Sequence, residues 1–372
     1  MNRNAWQLFS NDLALAEETL QNALASPGTS REIGSLAQQL TFFGHFNQAQ
    51  TLLLNASPEV LRETYARAAL LRIRQYRHHS NPWLSLCQRE QKPWFEGICR
   101  RIQSTDIRIQ VDLDGGLGDM LETIAALHAN NKDLKQRVQL VVPGHAQAAL
   151  APLLERDQNA HQLAWTTASV TASTEDNSTL FKLPMMVFKA ALARTQQVVA
   201  PKAVRSMEHC SGSKPRLLCC WRPKVDPDEK LWAHLRSLDL AKIVRLYDAL
   251  MPIAHHQGFE VVDLTRYSQR EERELLNRHP QGLRLMANQL RSFLDTVELI
   301  GPNTLIASID TSLIHVACWC GSSPVMLAQR WPHGRWLQGS WSDVVIFEQA
   351  QLLDWDQPIR RLLQQIEAYR WA

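Results

Sequence analysis

The hydrophobic period changes near residue 106, and that change most limits what this chain can fold into. Before it, apolar residues recur three and four apart, as in "LALAEETLQNAL" and "EVLRETYARAALLRIRQY". That is the spacing of amphipathic helices. After it, short apolar runs alternate with helical stretches. "IRIQVDL", "RVQLVVPG" and "QLAWT" read as strands, with "GDMLETIAALHANN" and "AQAALAPLLE" as helices between them. "LPMMVFKAAL" and the stretch to about 200 close this unit. The polar segment "MEHCSGSKP" (207–215) reads as a linker, and the alternation then restarts. "RLLCCW", "FEVVDL", "LRLMAN", "TLIASID" and "SPVMLA" are strands; "LDLAKIVRLYDALMPIAHHQG", "REERELLNRH", "SFLDTVELIG" and "TSLIHVACWCG" are helices. Strands that alternate with helices pair in parallel and are covered on both faces.

The expected architecture is therefore α/β, with two Rossmann-like domains facing a cleft and an all-α extension ahead of them. The boundaries are 1–104 for the helical region, 105–206 for the first sheet domain and 207–372 for the second. A length of 372 residues agrees, because it exceeds one ordinary core. Ligands of such sheets bind at strand carboxyl ends, so the cleft is the natural site. In the helical region, "LAQQLTFFGHFNQAQTLLLNASPEV" resembles one tetratricopeptide unit. Gly44 and Ala49 are the small residues where two helices of a hairpin touch, Ser30 or Ser57 caps a helix, and Pro58 starts the next one. A plain helical cap on the next domain is the competing reading.

Charge and cysteine content narrow the partners. There are 40 basic and 37 acidic residues, a net charge of +3. A nucleic-acid binder needs a concentrated basic face, so no nucleic-acid partner is expected. The start "MNRNAWQLFSNDLALAEETL" has no apolar stretch of leader length, and no run reaches the ~18 apolar residues of a membrane span. Seven cysteines, an odd number, fit a reducing compartment. Cys219–Cys220 and Cys318/Cys320 lack C-x-x-C spacing and read as buried apolar residues. The expectation is a cytoplasmic protein without a transmembrane segment. It leaves room for peripheral membrane contact and for a protein partner on the helical region.

"VDLDGGLGDMLET" (111–123) carries three carboxylates between a strand and a helix, and two chemistries fit it. "VDLDGG" resembles the Asp-x-Asp-Gly-Thr of haloacid-dehalogenase-type phosphatases. That resemblance makes Asp112 the nucleophile and Asp114 the acid-base, around Mg²⁺. Gly116 stands in place of the Thr, and the downstream acidic pair is missing from the next 100 residues, with Asp310 alone at a later strand end. The other reading uses "GGLGD". Gly115, Gly116 and Gly118 let the backbone turn tightly and approach a ligand. Asp119 falls in the first helical turn, where the positive helix end holds a carboxylate ionised. From there it takes a proton from an attacking hydroxyl. Asp112 and Asp114 are then ordinary strand-end acids.

A second constellation is "IASIDTSLIHVACWCGSSPVMLA" (306–328). The strand ends at Ile309. Asp310 and Thr311 read as helix-capping residues, followed by Ser312, with His315 one turn on from Thr311. The free N–H groups of that first turn suit a diphosphate.

Together, "GLGDML" with "AAL", and "FLDTVELIGPNTLIASIDTSLIHVACWCGSSPVMLA", resemble the heptosyltransferase-like glycosyltransferases (family nine), especially their tetratricopeptide-linked relatives. "RWPHGRWL" is similar to a Pro-x-x-Arg-Trp stretch of that group, and "RSLDL" (236–240) to the Arg-Ser-x-x-Leu that starts a helix there. The likeness runs over roughly 108–372. It implies the GT-B fold, with a nucleotide-sugar donor on the second domain. The chemistry implied is metal-independent, inverting transfer, without a further cofactor, to a glycan, lipid-linked or protein hydroxyl. It implies that Asp119 is the base, and that Arg222, Lys224, Arg236, Ser237, Asp310, Thr311, Ser312 and His315 bind the donor. It also implies that the last helix, 358–370, crosses back onto the first sheet. Cys318 stands where the family has Gly, and Trp319–Cys320 are bulkier. That departure supports an alternative, a non-catalytic nucleotide-sugar-binding or scaffold protein descended from such an enzyme. His255, His256 and His279 read as structural, and the acids of "VDPDE" (225–229) and "DWD" (354–356) as solvated loop residues.

Overall fold

The computed structural model describes residues 22, 29–57, 59–60, 66, 69–70, 72–73, 92–130, 132–161, 163–167, 180–195, 214–223, 230–279, 281–332, 336, 341 and 343–371. Lys224, Pro58 and the "VDPDE" acids lie outside them.

Two helices open the described chain, α1 (Ser30–Phe42) and α2 (Phe46–Leu54), and α3 (Lys92–Gln103) leads into the first sheet. The cap of α1 is Thr29, not Ser30. The Thr29 side chain and Glu32 form a reciprocal capping box, which satisfies two backbone donors of the first turn. Ala49 is buried in the hairpin as expected. Gly44 is not at the helix–helix contact. It sits in the turn between the helices with φ 79°, and a Cβ there would lie 2.6 Å from Nε1 of Trp331. Phe46 meets that same indole edge-on at 5.4 Å, and Arg72 donates to the Trp331 carbonyl. Leu235, Leu352 and Leu353 join the apolar cluster of the hairpin. The hairpin therefore packs on the second sheet domain. One hairpin is described, so a tetratricopeptide array is not shown.

The first sheet contains β1 (Arg108–Asp112), β2 (Val138–Val142), β3 (Ala164–Thr167) and β4 (Leu180–Pro184), in the order β3-β2-β1-β4. Its helices are α4 (Leu117–His128), α5 (Lys132–Arg137), α6 (Gly144–His161) and α7 (Met185–Arg194). The second sheet contains β5 (Arg216–Cys220), β6 (Glu260–Asp263), β7 (Leu283–Leu285), β8 (Thr304–Ile309), β9 (Val325–Ala328) and β10 (Val345–Glu348). Its helices are α8 (Lys230–Leu235), α9 (Leu240–Gln257), α10 (Gln269–Arg278), α11 (Phe293–Leu299), α12 (Ser312–Trp319) and α13 (Asp356–Ala368). Its order is β10-β9-β8-β5-β6-β7.

Both sheets are parallel throughout, with Val111 opposite both Leu140 and Leu183, and Leu218 opposite both Val262 and Ile306. Counted within each domain, the orders are 3-2-1-4 and 3-2-1-4-5-6, the doubly wound arrangement. The central strands are apolar on both faces because helices cover both; β8 is buried at every residue. Each sheet has one switch point where the winding reverses, β1/β4 in the first and β5/β8 in the second. The expected Rossmann-like pair is present.

The space between the sheets differs from an open cleft at its centre. α4 packs on α12 and α6 on α11, and one apolar core runs from Val111 and Leu121 through to Ile314 and Trp319. Trp319 meets the His128 ring at 5.8 Å. The bulky residues of α12 thus serve domain packing. α13 does not cross back onto the first sheet. It packs on β9, β10 and α9 through Leu362 and Ile366, whose partners all belong to the second sheet. Among the described residues no helix is long and apolar enough to cross a membrane.

Beneath the α4 start, Lys189 of α7 lies 2.9 Å from Glu122, and both side chains are fully buried. A buried charge survives only when paired. Lys189→Met, which leaves Glu122 without its cation, should destabilise the protein by about 3–5 kcal/mol in denaturant unfolding. The double variant Glu122→Leu/Lys189→Met should recover most of that loss.

Candidate functional site

Ligands of doubly wound sheets bind where the strand order reverses. At the first switch point the chain leaves β1 through Leu113, Asp114, Gly115 and Gly116 and enters α4. Asp112 accepts a bond from Gln110 Nε2 at 2.9 Å. Asp114 accepts from the Met185 N–H at 3.2 Å and so caps α7, across the switch point. Burial pushes the Asp114 carboxyl up, its backbone bonds oppose the rise, and the charges of Asp112 and Asp119 add to it. Three carboxylates therefore share one turn. Asp112 and Asp114 each accept a hydrogen bond from within the first domain.

Asp119 lies in the first turn of α4, whose N-cap is Gly116. Its carboxylate folds back over the loop. A Cβ built on Gly116 would lie 3.3 Å from Asp119 Oδ2. This places the carboxylate at the positive helix end.

The glycines play a different part from the one expected. None of Gly115, Gly116 and Gly118 has a positive φ. A Cβ on Gly115 would lie 2.4 Å from Met185 Cε, and one on Gly118 would lie 2.6 Å from both Cδ2 and Nε2 of His315. What approaches the backbone closely is protein, from α7 and from the other domain.

At the second switch point β8 ends at Ile309, and Asp310 and Thr311 lead into α12. Thr311 is the N-cap residue, yet its side chain makes no capping bond. Its hydroxyl is 2.9 Å from Ser308 Oγ, which donates to the Cys220 carbonyl at 2.8 Å. These bonds lock the carboxyl ends of β5 and β8 together. The first turn of α12 is left without a side-chain cap, with Ser312 half-buried at its start. Arg236 Nη1 donates to the Asp310 carbonyl at 3.0 Å.

His315 is 2% exposed. The Trp341 indole donates to its Nδ1 at 3.0 Å, and Trp336 lies against the ring at 4.8 Å. His315 does share α12 with Thr311, but its Nε2 edge faces Gly118 of the other domain.

The remaining donor-side residues form a second group. Arg222 Nε donates to the Leu238 carbonyl at 3.0 Å, and Nη1 pairs with Glu271 at 2.8 Å. Ser237 donates to the Ala233 carbonyl. Arg236 and Ser237 do not start a helix, as "RSLDL" had implied; Asp239 caps α9, which begins at Leu240. Arg222 and Ser237 line a cavity of about 330 Å³ together with His234, Asp239, Lys242 and Trp355. His234 is held below the ordinary imidazole value by burial. Arg236, adjacent in the chain to Ser237 of this cavity, reaches the residue before the α12 cap through the Asp310 carbonyl.

Sequence reasoning missed the frame behind β5. Asp263, fully buried at the end of β6, accepts from Tyr247 Oη at 2.5 Å, Tyr267 Oη at 2.6 Å and the Thr265 N–H at 2.7 Å. Trp221 donates its indole N–H to Tyr247 at 2.8 Å and its backbone N–H to Thr265 at 2.7 Å. Desolvation raises Asp263 against these bonds. The network fixes Trp221, and with it the turn carrying Arg222. An acid closing the apolar run "FEVVDL" was its only sequence signal. Gln349 was missed as well. Buried after β10, it accepts from the N–H groups of Arg330 at 3.2 Å and Leu353 at 3.0 Å. That bond ties down two segments whose residues Trp331 and Leu353 both have φ 63°, a strained conformation for residues with a Cβ.

No protein-family model matches the sequence, and no curated protein matches it. Among solved structures the chain is similar to one described as the glycosyl transferase family 9 from Veillonella parvula. The identity is 10%, over 66% of this chain and 88% of that one, with a TM-score of 0.39.

The Gly118–His315 contact is open to a direct test. Gly118→Ala forces a methyl into a ring held by two tryptophans. It should destabilise the chain by about 1–3 kcal/mol. In His315→Ala the same substitution should be nearly neutral. A double-mutant cycle by urea unfolding reads the difference.

Proposed function

We propose that the chain is a glycosyltransferase that uses a nucleoside-diphosphate sugar, with the reacting centre between the α4 and α12 starts. The observation that carries this reading is the meeting of the two motifs. "GGLGD" and "DTSLIH" lie on different sheets, each at its own switch point, and they touch at Gly118 and His315. A general base and an anion-binding helix start are then side by side.

In this reading Asp119 takes the proton of the acceptor hydroxyl. That oxygen attacks the anomeric carbon as the diphosphate leaves. The uncapped N–H groups of α12 and the ring of His315 stabilise the developing charge. Arg236 holds the Asp310 carbonyl and so the helix start. Arg222 and Lys224 add cationic charge after β5, and no step requires a metal or another cofactor. The acceptor is a glycan, a lipid-linked saccharide or a protein. The non-catalytic alternative draws on a specific observation: His315 is packed in the seam between the sheets, and Arg222 is paired with Glu271.

Calorimetry with UDP, GDP and ADP, with and without EDTA, should show binding of at least one nucleotide in both conditions. No binding at millimolar ligand sinks the transferase reading. Asp119→Asn should bind that nucleotide like wild type and transfer at least about a hundredfold more slowly, the usual value of a positioned base. Nucleotide binding without transfer in wild type favours the non-catalytic reading.

A further inference from the structure

An indole N–H only donates, and a neutral imidazole carries one N–H and one lone-pair nitrogen. Trp341 Nε1 lies 3.0 Å from His315 Nδ1. The lone pair is therefore on Nδ1 and the proton on Nε2. Trp341 is 5% exposed and His315 is 2% exposed, so bulk water does not compete for this bond. Trp336 at 4.8 Å and Trp341 at 6.3 Å between centroids hold the ring from two sides. The opposite edge, Cδ2 and Nε2, lies against Gly118, beside Asp119. From this geometry we infer that Trp341 is a positioning residue: it fixes His315 as the Nε2–H tautomer and presents that N–H to the α4 start.

The consequence rests on the transferase reading. A His315 with its lone pair on Nε2 would be a second base beside Asp119. With the proton there it only donates. The two motifs then divide the work, Asp119 accepting the acceptor's proton and His315 donating to the oxygen on which charge develops. Trp341 belongs to neither motif.

The test uses the full chain labelled with ¹⁵N-histidine, His315 being assigned by difference from His315→Gln. Long-range nitrogen–proton spectra should show a pyridine-type Nδ1 and a pyrrole-type Nε2. Trp341→Phe should lose that pattern. So should replacement of Trp341 by benzothienylalanine, which keeps the shape and puts sulfur in place of N–H, and which serves if the Phe variant misfolds. With Trp341 altered, transfer should slow roughly tenfold, the scale of one lost hydrogen bond. A wild-type spectrum with the proton on Nδ1, or an unchanged pattern in the isostere, overturns the inference. The expected spectra in a protein that binds no nucleotide and transfers no sugar uphold the tautomer and sink the transferase reading.

Discussion

At Gly118 and His315 the two sheet domains approach closely, a ring edge against a backbone. His315 leaves no room for a Cβ at position 118, and glycine is the residue that lets two elements come that near. Much else follows from this contact. It sets the spacing of α4 and α12, and so the distance between the Asp119 carboxylate and the α12 start. It places a polar group inside an apolar core, which is tolerable only if that group is hydrogen-bonded. Trp341 supplies that bond, from beyond β9. The apolar seam gives the interface its affinity, and the Gly118–His315 pair gives it register.

Rigid surroundings hold the second switch point in place. Ser308 joins β8 to β5, and Asp263 gathers two phenols and a backbone N–H behind the β5 turn. In a low-dielectric interior such bonds are strong when complete and costly when one member is lost. The surrounding sheet therefore fixes the turns after β5 and β8. The loops after β9 and β10 are fixed differently, by Gln349 and by the N-terminal hairpin, which receives Trp331 over Gly44. Two left-handed non-glycine residues persist there because packing over-determines them. The helical region is thus a structural neighbour of the second domain's carboxyl-end loops.

Much of the fold was legible because period is a local property. The change from three-and-four spacing to strand–helix alternation marks both sheets, and the carboxyl end of β8 and the first-turn position of Asp119 follow from the same pattern. What stayed hidden depends on partners distant in the chain. "GGLG" looks alike whether its glycines turn left-handed, admit a ligand or admit a histidine from another domain. Trp341 has no periodic neighbour to mark it, and nothing beside Trp319 points to its partner, His128 of the first domain. Nothing in "WRPK" points to Glu271 of α10, which pairs with Arg222. α13 was placed on the wrong sheet for a similar reason: an amphipathic stripe shows that a helix is covered, not by which surface.

Two places on the second domain could attract an anion, and helix capping separates them. The cavity beside α9 has Arg222 and Lys242 in its wall. Yet the α9 start is capped by the Asp239 carboxylate, which accepts the Lys242 N–H at 2.8 Å and also pairs with the Lys242 side chain. A phosphate there would face a fixed negative charge and a first-turn donor already engaged. α1, α10 and α11 are likewise capped by their own Thr or Ser. α12 has the residue type for a cap and does not use it, because Ser308 holds the Thr311 hydroxyl against the strand ends. The N-cap residues of α2, α4, α7 and α13 also make no side-chain cap, but α2 and α13 do not start at a switch point, and α4 and α7 start at that of the first sheet. Among the described helix starts of the second domain, the one at α12 combines an uncapped first turn, the sheet's switch point and the facing Asp119 turn. In the transferase we propose, the positive end of α12 is therefore a better seat for a leaving diphosphate than the α9 cavity.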